Sequence, residues 1–276
     1  MIAAVAAAVL AAAGSVPGAA GPVPPDAPVV RLAVKGDWGY GGEAQAAVSR
    51  RICGEHRRAR FAAVVTTGDN FYDPDGVATR ENFSAPERCI LLARIPYRAA
   101  WGNHDLGGGD TAAVLGAPRR HYAFTAGPAR VIVLDSNAPD DPAQMRFLRR
   151  ETRPGGTRPR IAVFHHPIAT AGSHRADESL YRLWAPLLRR GRVALVLQGH
   201  NHHYERIERD GLTILTSGGG GAPVYPCLIP VAGLRTCRPV HHFLSVTVTR
   251  SAVAVTAIRH DGVVIDRFRV PAPAVA

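Results

Sequence analysis

Residues 61 to 72 read Phe61-Ala62-Ala63-Val64-Val65-Thr66-Thr67-Gly68-Asp69-Asn70-Phe71-Tyr72. The apolar run predicts a buried strand over 61–67. Gly68 ends it where the backbone must turn sharply. A carboxylate follows at once, and a phenol three residues later. The C-terminal end of a central strand is where an α/β protein gathers its ligands. The stretch therefore proposes a metal site, with other loops supplying the remaining ligands.

Four more apolar segments end in the same way. Val29 to Val34 runs into Gly36-Asp37-Trp38-Gly39, and Tyr97 to Trp101 into Gly102-Asn103-His104-Asp105. Arg160 to Phe164 reaches His165-His166-Pro167, and Val193 to Leu197 reaches Gly199-His200-Asn201-His202-His203. One such loop means little, because Gly-Asp is usually a turn and a single His is more often structural. Five on one sheet edge are hard to attribute to chance. The donors Asp37, Asp69, Tyr72, Asn103, His165, His200 and His202 number seven. That is too many for one zinc ion and too few for two closed sites. It suits two ions that share a bridging carboxylate and keep positions for water and substrate. Mixed oxygen and nitrogen donors without thiolate exclude an iron–sulfur cluster and suit Fe, Mn or Zn.

The order Asp, Gly-Asp, Gly-Asn-His-Asp, His, Gly-His-x-His resembles the signature of the calcineurin-like metallophosphoesterases. Gly-Asp-Trp-Gly at 36–39, Gly-Asp-Asn-Phe-Tyr at 68–72 and His-x-Pro at 165–167 are similar to the purple acid phosphatases among them, of the small mammalian type. The resemblance runs from residue 36 to 206. It implies an α/β fold of two packed mixed β-sheets flanked by helices, a four-layer α/β/β/α sandwich. It also implies a secreted binuclear-metal phosphatase that hydrolyses phosphomonoesters by in-line attack of a metal-bound hydroxide. Asp37, Asp69, Tyr72 and His202 would hold Fe(III), Asp69 would bridge, and Asn103, His165 and His200 would complete a divalent site of Fe, Mn or Zn. His104 and His174 would bind the phosphoryl group as catalytic residues. Asp105, read from its position alone, either orients His104 from behind or caps a helix or turn. Two carboxylates and a phenolate carry three negative charges against five positive ones on such an ion pair, which leaves room for an anionic substrate. If Tyr72 were instead a core tyrosine, two divalent ions would suffice.

The remaining segments fit around these loops. Helical spacing predicts helices over 43–58, 82–93, 142–153 and 176–190. Strands are expected over 121–124, 129–134 and 212–216, and period-two alternation gives 243–249, 252–258 and 263–270. His260-Asp261-Gly262 joins the last two as a hairpin. His166 and His203 are expected to line the pocket or pack behind it. His56, His121, His241, His242 and His260 read as ordinary. Gly218 to Gly221 either brings backbone close to the site or is a turn.

The chain has 276 residues, 46% of them hydrophobic, enough for one large domain with an ample core. Net charge is +11, and Lys35 is the only lysine among 33 basic residues. The arginines are scattered without a basic tract interleaved with aromatics, so no specific nucleic-acid binding is expected. The partners expected are small phosphorylated substrates, with a monomer favoured. Ile2 to Ala13 is apolar but too short to span a bilayer. With Gly18-Ala19-Ala20 it reads as a signal peptide over 1–20. A Pro-rich linker follows over 21–28, then a single catalytic domain over 29–276, secreted or otherwise extracytoplasmic. Four cysteines allow three connectivities. Cys227 and Cys237 flank a short loop, which suggests one bridge and leaves Cys53 with Cys89. No Cys-x-x-Cys spacing exists, which argues against a zinc–thiolate site. Two rivals stand beside the phosphatase: a phosphodiesterase or nucleotidase on the same scaffold, and a binding protein that has lost the chemistry. All seven donors are present, which disfavours the second.

Overall fold

The computed structural model describes residues 29–117 and 119–272, so the expected signal peptide and linker lie outside the described residues. The strands are β1 (Val29–Lys35), β2 (Ala63–Thr66), β3 (Tyr97–Ala99), β4 (Tyr122–Ala126), β5 (Ala129–Val133), β6 (Arg160–Val163) and β7 (Val193–Gln198). They continue with β8 (Tyr204–Arg209), β9 (Leu212–Ser217), β10 (Leu234–Arg238), β11 (His242–Thr249), β12 (Ala252–Arg259) and β13 (Val264–Pro271). One sheet has the order β13-β12-β11-β1-β2-β3, the other β10-β8-β9-β7-β6-β5-β4. Both are mixed. β1, β2 and β3 run parallel, as do β5, β6, β7 and β9, while the outer strands pair antiparallel.

The side-chain period of two decides the layers. Leu32 and Val34 of β1 point between the sheets, where they pack with Val65, Val133, Val163, Leu197 and Val246. Ala33, between them, faces the other way. There α1 (Gly42–Arg58) lays Val48 and Ile52 over Val64 and Phe243. On the far sheet, α4 (Pro142–Glu151) and α5 (Glu178–Arg190) bury Leu148, Leu180, Trp184 and Leu188 against Phe164, Val196 and Ile214. Each such side chain contributes about 1.5–3 kcal/mol on burial. The result is the four-layer sandwich that the motifs imply. Between these helices in sequence lie two short ones, α2 (Arg88–Leu92) and α3 (Asp110–Leu115).

Three departures from the sequence reading have local causes. The expected helix over 82–93 is split into a π-helical turn, Arg80–Ser84, and α2. Pro86 lies between them, has no N–H to donate and ends the ladder. β8 and β10 were not expected, because Tyr204-Glu205-Arg206-Ile207-Glu208-Arg209 and Leu234-Arg235-Thr236-Cys237-Arg238 carry too much charge to read as buried strands. α3 is only six residues long, too short for a periodic signal.

Lys35 is fully buried at the end of β1. Its Nζ lies 2.7 Å from Glu87 Oε1 and 4.0 Å from the centre of the Trp38 ring. Glu87 also accepts hydrogen bonds from Ser49 (2.7 Å), Gln45 (2.9 Å) and Tyr97 (2.6 Å). This charged knot ties β1, α1, β3 and the segment before α2 together immediately behind the Asp37 loop.

Candidate metal centre

The parallel strands β1, β2, β3, β6 and β7 all deliver their C-terminal loops to one place. Asp37 and Asp69 follow β1 and β2, and both are buried. Both have left-handed backbone, φ 54° and 49°, as does His200 at 71°. Among the described residues, these are three of the six non-glycine positions with positive φ. Such strain persists where the surrounding structure imposes it, often at functional sites. Close approach is enforced by glycine: a Cβ on Gly102 would collide with Asp69 Oδ1, and one on Gly68 would sit 2.6 Å from His165 Nδ1.

Two groups of donors form around Asp69. Its Oδ2 is 3.2 Å from the Tyr72 hydroxyl, and its Oδ1 is 3.4 Å from His165 Nε2. On the first side, the Tyr72 hydroxyl lies 2.9 Å from His202 Nε2 and 3.4 Å from Asp37 Oδ1. On the second, His165 Nε2 lies 3.1 Å from both Asn103 Oδ1 and His200 Nδ1. All seven sequence-selected donors therefore meet.

Tautomers follow from the outer contacts. The Thr67 carbonyl is 2.9 Å from His165 Nδ1 and can only accept, so Nδ1 carries a proton. The Pro223 carbonyl does the same at 2.8 Å from His202 Nδ1. In the neutral rings both Nε2 lone pairs then point inward, that of His165 toward Asn103 Oδ1 and His200 Nδ1, and that of His202 toward the Tyr72 hydroxyl. Inward-facing Nε2 atoms beside the Asp37 and Asp69 carboxylates are the complement of a cation, with the outer carbonyls fixing each ring as a metal site requires.

The electrostatics carry the same imprint. Burial pushes the Asp37 carboxyl up, against the pull of His202 and His165. Burial pushes Asp69 in the same direction, but His165 and the His104 N–H outweigh it and hold Asp69 low. Burial opposes charge on His165, yet Asp69 and Asp37 raise it to about 9. Burial and then the two carboxylates drive the Tyr72 phenol far above its ordinary value. The pocket thus demands positive charge, and Tyr72 ionises only if a strong cation offsets Asp37 and Asp69.

His104 and His174 stand at the open side and are exposed. The His104 ring lies 4.5 Å from that of Tyr72, and His174 lies 4.4 Å from His200. Of its two expected places, Asp105 takes that of a cap on turn N–H groups and not that of orienting His104. Its carboxylate accepts from the N–H groups of Gly102 (2.7 Å) and Asn70 (2.9 Å), from Asn70 Nδ2 (2.9 Å) and from Thr111 Oγ1 (3.0 Å). It braces the 68–72 loop against the 102–105 loop and makes no hydrogen bond to His104. The His166 ring lies 4.8 Å from that of His200, beside the pocket as expected. Gly218 to Gly221 does approach the site: a Cβ on Gly218 would come within 2.9 Å of Asp37 Oδ2. Sequence reasoning missed Asn70, whose Oδ1 accepts from Trp38 Nε1 (3.0 Å) and Thr66 Oγ1 (2.6 Å). It also missed Tyr225, stacked 4.2 Å from His202. The Asn70 position within Gly-Asp-Asn was a usable signal. Tyr225 had none.

Comparison with known proteins agrees with this geometry. Residues 30–204 match the family described as calcineurin-like phosphoesterase. Purple acid phosphatase 4 of Arabidopsis thaliana is 27% identical over 84% of this chain and 80% of its own length. Purple acid phosphatase 7 of the same plant is 27% identical over 68% of this chain and 69% of its own. Among solved structures, a yellow lupin (Lupinus luteus) purple acid phosphatase superposes with TM-score 0.77 at 18% identity, over 89% of this chain and 54% of its own. GAP50, an anchor in the inner membrane complex of Plasmodium, gives 0.75 at 18% identity over 90% of each chain. A match over more than half the chain, spanning every strand-end loop that carries a donor, means that the chain belongs to the calcineurin-like phosphoesterases.

Proposed function

We propose that the protein is an extracytoplasmic phosphomonoesterase with a two-metal centre of Fe(III) and a divalent Fe, Mn or Zn ion. The observation that supports this most is the division of Asp69, one oxygen toward Tyr72 and the other toward His165. Asp37, Tyr72 and His202 would hold the ferric ion, Asn103, His165 and His200 the divalent one, and Asp69 both. A hard phenolate favours a hard trivalent ion. Ions held there would supply Lewis acidity and would lower the pKa of a water toward about 7.

The side chains do the rest. Thr67 and Pro223 carbonyls hold His165 and His202 in the tautomer that presents Nε2. Asp105 fixes the two loops that carry Asp69 and Asn103. His104 and His174, exposed over the centre, reach the phosphoryl oxygens and stabilise charge as the ester bond breaks, and one protonates the leaving alkoxide. No serine or cysteine nucleophile is needed. The two disulfides, Cys53–Cys89 and Cys227–Cys237, suit an oxidising compartment. Among the described residues, no helix is long and apolar enough to cross a membrane.

The test compares p-nitrophenyl phosphate with bis-p-nitrophenyl phosphate. A monoesterase gives the larger kcat/KM on the first. The reverse order would make it a phosphodiesterase on the same scaffold. The purified iron-loaded protein should also absorb in the visible through a phenolate-to-iron transition, and Tyr72→Phe should abolish it.

A further inference from the structure

His203 is fully buried, yet among the described residues neither ring nitrogen has a hydrogen-bond partner. Such groups are rare in folded proteins and mark a strained, redox or ion-binding position. Glu205 Oε2 is 3.6 Å from His203 Nε2, beyond hydrogen-bond reach. The Glu205 carboxylate is itself fixed by the Ala171 N–H (2.8 Å) and Thr216 Oγ1 (2.7 Å). On another side stands the Cys227–Cys237 disulfide. A ring nitrogen of His203 and the two sulfurs lie within 4.8 Å of one another. Both cysteines are half-buried, so a small reductant can reach them.

A disulfide is a poor ligand and a thiolate pair a strong one. We propose that reducing Cys227–Cys237 opens a second metal site, in which two thiolates and the His203 imidazole take a thiophilic divalent ion of the zinc class. Glu205 Oε2, at an ion-pair distance of 3.6 Å from His203 Nε2, supplies the negative charge that outer partners place behind metal-bound histidines. A water that enters past the half-buried cysteines would take the fourth position. The step balances with a dithiol as reductant. It gives two electrons and two protons to the S–S bond, leaving two thiols, and closes to its own disulfide. The metal then displaces the two thiol protons into solvent. The oxidised protein offers no thiolate, in keeping with the absence of a zinc–thiolate motif in the sequence. The site is invisible to motif reading because its cysteines are ten residues apart and its histidine comes from the other side of a β-hairpin. The loop between β9 and β10 also carries Pro223 and Tyr225 against His202, so a metal in place of the disulfide keeps that loop closed.

Cobalt(II) tests this without reference to phosphatase activity, because no thiolate serves the main centre. The metal-loaded protein is reduced anaerobically with dithiothreitol, freed of reductant and titrated with Co(II). The expected result is one additional cobalt per chain with an intense thiolate-to-cobalt band in the near ultraviolet, bleached by Zn(II). Oxidised protein and Cys227→Ser/Cys237→Ser, which retains Cys53 and Cys89, show no such band. His203→Ala keeps the thiolates and weakens cobalt binding by about tenfold or more. The proposal fails if the reduced wild type shows no band, if the serine variant shows the same one, or if His203→Ala binds as tightly as the wild type.

Discussion

Asp69 sits between two sets of donors with one oxygen for each, on a backbone strained to φ 49°. Asn in its place keeps the shape and loses the shared charge. Asp69→Asn is therefore expected to lower kcat/KM by more than about a hundredfold, beyond the usual cost of losing an outer partner, with metal content falling alongside it. Elemental analysis and kinetics on the same sample check this. Gly102→Ala should disturb the same atom sterically. The new methyl meets Asp69, and overpacking of this kind costs about 1–3 kcal/mol, read as a lower denaturation midpoint. His242 tests a buried group away from the donors. Burial lowers its pKa to about 4, and Nδ1 lies 2.9 Å from the Val240 carbonyl. The unfolded chain, with an ordinary pKa near 6.5, then binds more protons than the folded one. Stability is full above about 6.5 and falls as pH drops toward 4, by up to about 1.4 kcal/mol per unit. In His242→Gln that part of the slope should vanish, measured as melting temperature between pH 4.5 and 7. An unchanged slope would assign the acid lability elsewhere.

At the scale of elements, β1 shows why much of this site could be read in advance. Its alternation, its glycine and the following Asp37 are contiguous, so strand, turn and donor are all local signals. The same holds after β2, β3, β6 and β7, and all seven donors chosen from the sequence converge. What could not be read depends on contacts across the fold. Asp105 turned out to brace two loops because Asn70 and Gly102 come to it from different strands, which no spacing encodes. Tyr225 reaches His202 from 23 positions away along a loop without a motif. β8 hides its buried Glu205 inside a charged run, and Pro86 broke a helix that periodicity alone would continue. The Lys35–Glu87 pair belongs here too, since it joins β1 to α1 and to the start of α2. Lys35→Met should destabilise the fold by about 3–5 kcal/mol by stranding the Glu87 charge. The double change Lys35→Met/Glu87→Leu should recover much of that loss in chemical denaturation. Equal destabilisation by single and double variants would rule out charge stranding as the cause.

The molecule as a whole is two mixed sheets face to face with helices outside, and the parallel strands of both sheets open onto one edge. The fold is thus a device for bringing loops from distant parts of the chain to a common point. Cys53–Cys89 staples the helical layer beside it across 36 residues of chain. Replacing both by serine should cost about 3–4 kcal/mol on loop-closure arguments. The central claim is that this edge holds two ions. Elemental analysis of the purified, active protein tests it most directly. Two metal ions per chain, one of them iron, is the result expected from seven donors divided about Asp69. Full phosphomonoesterase activity with a single ion, or with none, would contradict it.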